Sequence, residues 1–172
     1  PECNQPSCEW GQVAPGERAA TSCQTREPAV AKRGNWVFNP NSGGKPIPEL
    51  VRRRTDARLR RYAEKHYAGR YSRLEIRFRS QFCYVDAYTE PAEPGPNWPP
   101  ASWPETREEY MERLRKTPIH LCRLRYCGDE ERWGFAFFAY SSEKYELSVF
   151  PSGQFFGPPE DAFEVSANVH LQ

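Results

Sequence analysis

The spacing of apolar residues changes near residue 34 and divides the chain into two parts. Residues 1–33 show little periodicity and contain few large apolar side chains. Residues 34–172 repeat apolar positions at the intervals typical of helices and strands. We therefore predict a disordered or loosely attached segment over residues 1–33 and a single α+β domain over residues 34–172. Two interpretations of the first segment stay open: a native tail, or residues upstream of a start near Val30.

A hairpin has the most regular pattern. Two alternating runs, residues 73–79 and 82–88, are separated by Ser80 and Gln81. A two-residue turn pairs position 79 with 82 and position 73 with 88, and it places apolar residues opposite each other on one face. A shift by one residue would destroy this match, so the register is specified. The apolar face, predicted to lie under helices, contains Leu74, Ile76, Phe78, Cys83, Val85 and Ala87.

Three helices are predicted around this hairpin. The first covers residues 48–67 and carries an apolar stripe of Leu50, Leu59, Tyr62, Ala63 and Tyr67. The second covers residues 105–116, and the spacing of Ser102 and Glu105 fits a capping box at its start. The third runs from Pro158 to about Ala167.

Further strands are predicted over residues 120–127, 132–140 and 144–150. Together the elements predict an α+β fold. It consists of an antiparallel sheet of about five strands, with two to three helices packed mainly on one face. Its core is expected to include Phe135, Phe137 and Leu147.

Positive charge is concentrated on one predicted helix and one predicted strand. Residues 51–80 contain eleven Lys and Arg and three Asp and Glu, so their net charge is +8 in a chain of net charge +1. Residues 86–112 provide an acidic counterweight of −6. Two arrangements stay open. Either the acidic helix packs beside the basic helix and neutralises it, or the basic surface remains available to a negatively charged partner.

Composition argues against several classes of protein. No apolar run approaches the ~18–20 residues that span a bilayer, and the first residues lack the basic and apolar parts of a signal peptide. We predict a cytoplasmic protein without membrane contact, in which the six cysteines are thiols.

Cys3, Cys8 and Cys23 lack the fourth ligand of a zinc site, and residues 41–45 lack the spacing of a phosphate loop. No cofactor is therefore predicted.

Motifs of catalysis are missing from the sequence as well. His66, His120 and His170 are scattered, and neither H-E-x-x-H nor G-x-S-x-G occurs. We assign no catalytic residue, and the sequence favours a non-enzymatic binding module.

The polar face of the hairpin is the candidate ligand site. Arginines meet tyrosines there, and alternation places two arginines of the next strand on the same face. Guanidinium groups bind phosphates and aromatic rings stack on bases, so the pattern predicts a nucleic-acid site, with an acidic protein surface as the other predicted partner. A solvated face with ion pairs and cation–π contacts is the alternative without a ligand. The predicted site residues are Arg73, Arg77, Arg79, Tyr84, Asp86, Tyr88, Arg123 and Arg125.

Two other functions stay open. Glu75 lies opposite Asp86 in the derived register, and two like charges need compensation. A divalent metal would make the domain a metal-dependent hydrolase or nuclease using these two carboxylates. An arginine of the same face would compensate more simply, and the sequence favours it. The other function is protein interaction through Trp98 and Trp103, in the loop at residues 95–103.

Several phrases of the sequence resemble a family of short bacterial hypothetical proteins. They are GNWVF at residues 34–38, YSRLEIRFRSQFCYVDAYTEP at 71–91, HLCRLRYCGDEERWGFAFF at 120–138 and EKYELSVFPSGQFFG at 143–157. The resemblance covers about four-fifths of the chain, roughly residues 31–170. The family is a domain of unknown function. It implies a self-contained domain that begins near residue 31, and it supplies no catalytic or binding residues.

Overall fold

The computed structural model describes residues 39–98, 100 and 102–171. These belong to the unit Gly34–Gln172. The predictions for residues 1–33, including those for Cys3, Cys8 and Cys23, lie outside the described residues. The elements follow in the order α1 (Glu49–Tyr67), β1 (Arg73–Arg79), β2 (Phe82–Tyr88), α2 (Arg107–Lys116), β3 (Ile119–Asp129), β4 (Arg132–Ala139), β5 (Lys144–Ser148), β6 (Phe156–Gly157) and α3 (Pro159–His170).

The strands form one antiparallel sheet. Its order is β1-β2-β3-β4-β5, and the short β6 pairs with β4. The hairpin has the predicted register, from Arg73 opposite Tyr88 to Arg79 opposite Phe82. The predicted α+β fold with an antiparallel sheet is therefore confirmed.

Helices α1 and α3 cover one face of the sheet and pack against each other. The buried positions of α1 recur every four residues, at Val51, Thr55, Leu59, Ala63 and Tyr67. The prediction that Leu50 belongs to the apolar stripe is wrong, because Leu50 is 58% exposed. The buried face runs through Val51 and Thr55 instead, and the polar type of Thr55 hides the pattern in the sequence.

The core lies between these helices and the sheet. Cys83, Val85 and Ala87 are fully buried, as predicted for the apolar side of the hairpin, and Phe135 of β4 joins them. The predicted core position of Phe137 is wrong, because this residue is 38% exposed. It lies two residues further along β4 than Phe135 and pairs with Cys122 of β3 and Glu146 of β5.

The predicted core position of Leu147 is also wrong. Leu147 pairs with Ala136, which pairs with Arg123, so these residues lie on the sheet face opposite the helices. Leu147 is half-buried there and lines a small cavity next to Arg123.

Helix α2 begins two residues later than predicted and uses a different cap. The Thr106 hydroxyl accepts a hydrogen bond from the backbone N–H of Glu109, at 3.2 Å. The Glu109 carboxylate accepts from the backbone N–H of Thr106, at 2.9 Å. This is a capping box one turn after the predicted Ser102–Glu105 pair, which is therefore wrong.

A loop at residues 39–45 lies against β3. The backbone N–H of Lys45 donates to the carbonyl of Tyr126 at 2.8 Å, and Arg125 donates to the carbonyl of Asn39 at 2.7 Å. Gly44 sits between loop and strand with φ of +87°. A Cβ atom at Gly44 would lie 2.8 Å from both Arg125 Cγ and the Tyr126 carbonyl oxygen. The close approach of loop and strand therefore requires glycine.

We expect Gly44→Ala to destabilise the domain more than Gly69→Ala. Gly69 also has a positive φ, +78°, but nothing lies within 4 Å of the position that a Cβ atom would take there. Its substitution should cost about 1–2 kcal/mol from backbone strain alone. Gly44→Ala should cost about 1–3 kcal/mol more, because the methyl group meets backbone. Urea unfolding measures both, and equal losses would contradict the tight packing of the loop on β3.

Candidate nucleic-acid interface

The sheet face opposite α1 and α3 carries the candidate site. We call it the Arg/Tyr face. Its members on β1, β2 and the start of β3 are Arg73, Glu75, Arg77, Arg79, Phe82, Tyr84, Asp86, Tyr88 and His120.

His120 reaches this face through a β-bulge. Val85 of β2 pairs with Cys122, whereas the next residue, Asp86, pairs with His120, so β3 has one extra residue, Leu121. Leu121 and Cys122 are both fully buried. Strict alternation from Arg123 would have placed Leu121 on the Arg/Tyr face and His120 in the core. Strict alternation therefore does not predict His120 at the site, although the consecutive apolar pair Leu121-Cys122 within an alternating run indicates the bulge.

Asp86 is a buried carboxylate with a partner on each oxygen. Asp86 is 1% exposed. Its Oδ2 accepts from Arg77 Nη2 at 2.5 Å, and its Oδ1 lies 2.7 Å from His120 Nδ1. Because a carboxylate oxygen accepts, we assign His120 Nδ1 as the donor in the second contact. The hydrogen bond to Asp86 also raises the pKa of Arg77 above its ordinary value.

Arg77 compensates the two facing carboxylates. Its Nε lies 3.6 Å from Glu75 Oε1, while its Nη2 contacts Asp86. The hydroxyl of Tyr88 donates to Glu75 at 3.0 Å. Within the described ranges, no group of three or more His, Cys, Asp and Glu could hold a metal ion. The metal-dependent hydrolase or nuclease using Glu75 and Asp86 therefore remains a prediction, and the described residues provide no group of three ligands for its metal.

Exposed guanidinium groups of β1 lie opposite half-buried rings of β2. The side chains of Arg73 and Arg77 are 64% and 52% exposed, and Arg79 is exposed as well. The Arg73 guanidinium lies over the Tyr88 ring, with its carbon 3.9 Å from the ring centroid. Tyr84 packs edge-on against Tyr145, at 5.7 Å between centroids. These contacts fix the direction of each ring on the sheet.

Arg123 and Arg125 lie on the same face but are covered by the loop at residues 39–45. Arg123 donates to the carbonyl of Pro40 at 2.7 Å and to Asn41 Oδ1 at 3.0 Å. Arg125 donates to the carbonyls of Asn39 and Ser42. They are 7% and 4% exposed, and burial lowers the pKa of both. In this arrangement, both guanidinium groups hold the loop.

Two arginines of α1 pair with acids from other elements of the same domain. Arg54 pairs with Glu130 at 2.9 Å, and Arg58 pairs with Glu131 and Glu160 at 2.6 Å each. These acids belong to the β3–β4 turn and to α3, against which α1 packs. The acids around α2 pair with nearby bases instead, as in Glu105–Arg113 and Glu112–Lys116. The basic helix is therefore neutralised in part, though not by the acidic helix.

Aromatic residues of the loop before α2 form a cluster of their own. Trp98 lies 5.1 Å from Trp103 and 5.7 Å from Tyr110, measured between ring centroids. Arg107 donates to the carbonyls of Pro94 and Gly95, which ties the loop to α2. Trp103 remains 43% exposed. Protein interaction through this loop stays a prediction.

The chain matches no protein-family model, no curated protein and no solved structure. The resemblance to the bacterial family stays a prediction. None of the helices in the described part of the chain has the length and apolarity needed to cross a bilayer.

We expect Asp86→Asn to lower the free energy of unfolding by about 3–5 kcal/mol. The Asn side chain has a single accepting oxygen, whereas Asp86 accepts hydrogen bonds from Arg77 and His120 on two separate oxygens. The substitution should also change the imidazole nitrogen shifts of His120, since the acceptor of Nδ1–H is altered. Urea unfolding and long-range ¹H–¹⁵N correlation spectra measure these effects.

Glu75→Gln is the matched control, since this carboxylate is 39% exposed and lies on the adjacent strand. It should cost about 0–1 kcal/mol. A small loss for Asp86→Asn with unchanged His120 nitrogen shifts would contradict the paired geometry.

Proposed function

We propose that this domain is a cytoplasmic binding module for single-stranded nucleic acid, which it binds on the Arg/Tyr face. The supporting observation is the juxtaposition of exposed Arg73 and Arg77 with the rings of Tyr84 and Tyr88 on one sheet face. Guanidinium groups pair with phosphates, while rings and guanidinium planes stack on bases.

Unpaired bases suit this face better than a duplex. Side chains on a sheet stack on bases only where those bases are not already stacked in a helix. The Arg73–Tyr88 pair, with 3.9 Å between guanidinium carbon and ring centroid, is already a stack that one more planar group can extend. Its geometry favours a base as the next layer.

The proposed contacts are fewer than the charge count suggests. Arg123 and Arg125 are buried and hold the loop at residues 39–45, and Arg54 and Arg58 belong to α1, on the opposite side of the sheet. The exposed guanidinium groups of the face are those of Arg73, Arg77 and Arg79. We therefore expect moderate affinity with about three phosphate contacts.

The free thiols among the described residues support the cytoplasmic part of the proposal. Within that part of the chain, Cys83, Cys122 and Cys127 form no disulfide. Burial raises the pKa of Cys83 and Cys122, so both remain protonated and behave as small apolar side chains. Thiols of this kind suit a reducing compartment.

Binding should fall with salt to a predictable extent. About three phosphate contacts on a single strand give a slope of about −2 in a plot of log K against log salt concentration. Fluorescence anisotropy with a labelled oligonucleotide of about 12 nucleotides measures it. Polyglutamate is the control for a merely acidic partner. Binding that does not depend on salt, or equal competition by polyglutamate, would contradict the proposal.

Variants separate the face from the rest of the basic surface. Arg79→Ala should make the salt slope shallower by about 0.7. Arg61→Ala removes the same charge from the exposed side of α1 and should leave the slope unchanged. Tyr84→Leu keeps apolar bulk but removes the stacking ring, and it should weaken binding by about 1–3 kcal/mol. Equal effects of the Arg61 and Arg79 variants would mean that the face is not the site.

A further inference from the structure

The pair formed by Asp86 and His120 has a geometry that binding alone does not require. The Asp86 side chain is 2% exposed, whereas the His120 side chain is 29% exposed. Asp86 Oδ1 lies 2.7 Å from His120 Nδ1, and Arg77 holds the other oxygen. A buried carboxylate that accepts from Nδ1 fixes the orientation of an imidazole and leaves Nε2 to accept a proton from a ligand.

Two aromatic side chains flank the imidazole, which remains partly exposed. The ring centroid of Phe138 lies 4.6 Å from that of His120, and the Tyr140 ring is stacked at 6.4 Å. The Tyr140 hydroxyl accepts from the backbone N–H of His120 at 3.0 Å. The imidazole is thus held between a charged partner and two rings, which restricts its rotation.

The pair lies within the proposed nucleic-acid face. Asp86 and His120 are in one cross-strand row, and Arg77 shares the carboxylate of Asp86 with His120. Arg73 and Tyr88 occupy the neighbouring row of β1 and β2. A phosphate bound by Arg73 or Arg77 would therefore lie close to the imidazole.

We infer that His120 acts as a general base on the 2′-hydroxyl of bound RNA, and that the domain cleaves RNA. This inference rests on the proposed function and adds an activity to it. His120 Nε2 takes the proton of the 2′-hydroxyl, the O2′–P bond forms and the P–O5′ bond breaks. The departing 5′-oxygen takes a proton from water, and the imidazolium returns its proton to solvent. The products are a 2′,3′-cyclic phosphate and a 5′-hydroxyl.

RNA is the substrate class because its own hydroxyl is the nucleophile, next to the phosphate that it attacks. A single oriented base and nearby cations then suffice for the reaction. The guanidinium groups of Arg73 and Arg77 would stabilise the charge that develops on the phosphate oxygens. Asp86 is a positioning residue, since it acts through His120.

The experiment compares cleavage and binding in the same preparations. The full chain and its His120→Gln and His66→Gln variants are incubated with a labelled RNA of about 12 nucleotides, and product ends are identified by mass spectrometry. Binding is measured separately with the fully 2′-O-methylated oligonucleotide, which cannot be cleaved by this route. His66 is the matched control, because it is a histidine on α1 that stacks on Tyr62.

We expect wild type and His66→Gln to produce 2′,3′-cyclic phosphate ends at similar rates. His120→Gln should reduce the rate by at least about 100-fold while its affinity for the methylated oligonucleotide changes less than about twofold. An RNA with one 2′-deoxy residue should resist cleavage at that residue, which tests the reaction without altering the protein.

Binding without cleavage would overturn this inference and leave the proposed function standing. Cleavage that persists in His120→Gln, or at the 2′-deoxy residue, would also overturn it. A failure to bind the methylated oligonucleotide would overturn the proposed function and the inference together.

Discussion

The buried carboxylate of Asp86 is the constraint on which the Arg/Tyr face depends. A buried charge is costly unless it is paired and hydrogen-bonded. Asp86 meets this requirement with Arg77 from β1 and His120 from β3, so one side chain of β2 links three adjacent strands. Arg77 also reaches Glu75, which prevents two facing carboxylates from repelling each other.

The bulge in β3 makes that row possible. One extra residue reverses the alternation between His120 and Cys122, so the histidine faces Asp86 while Leu121 and Cys122 both enter the core. Without the bulge, Asp86 would keep Arg77 as a partner but would lie beside a leucine instead of His120. The same irregularity thus completes the core on one side of the sheet and creates the paired histidine on the other.

How much the sequence predicts depends on the range of the interaction. The hairpin register follows from local alternation, which is why its face with Arg73, Tyr84, Asp86 and Tyr88 could be predicted. Arg123 and Arg125 lie on the predicted face. Their coverage by residues 39–42 could not be predicted, because the partners are more than 80 positions away and are mostly main-chain carbonyls. The location of His120 depends on a bulge, which a strict period of two does not reveal.

Errors about the helices have a different origin. Leu50 fits an apolar stripe by residue type, but burial follows the four-residue spacing that includes polar Thr55. Two nearby pairs fit a capping box, and only backbone conformation selects Thr106 with Glu109. The net charge of +8 over residues 51–80 also overstates the basic surface, because the Arg58 guanidinium is paired with glutamates of the β3–β4 turn and α3. Tertiary contacts decide these features among the options that the local pattern allows.

In the proposed function, nucleic acid binds to the Arg/Tyr face and not to the basic helix α1. Titration of ¹⁵N-labelled protein with the 2′-O-methylated oligonucleotide, followed by amide and arginine side-chain shifts, tests it most directly. We predict shifts concentrated at Arg73, Arg77, Tyr84, Tyr88 and His120, with α1 unchanged. Shifts concentrated on α1 at Arg54 and Arg61, or no shifts at all, would contradict it.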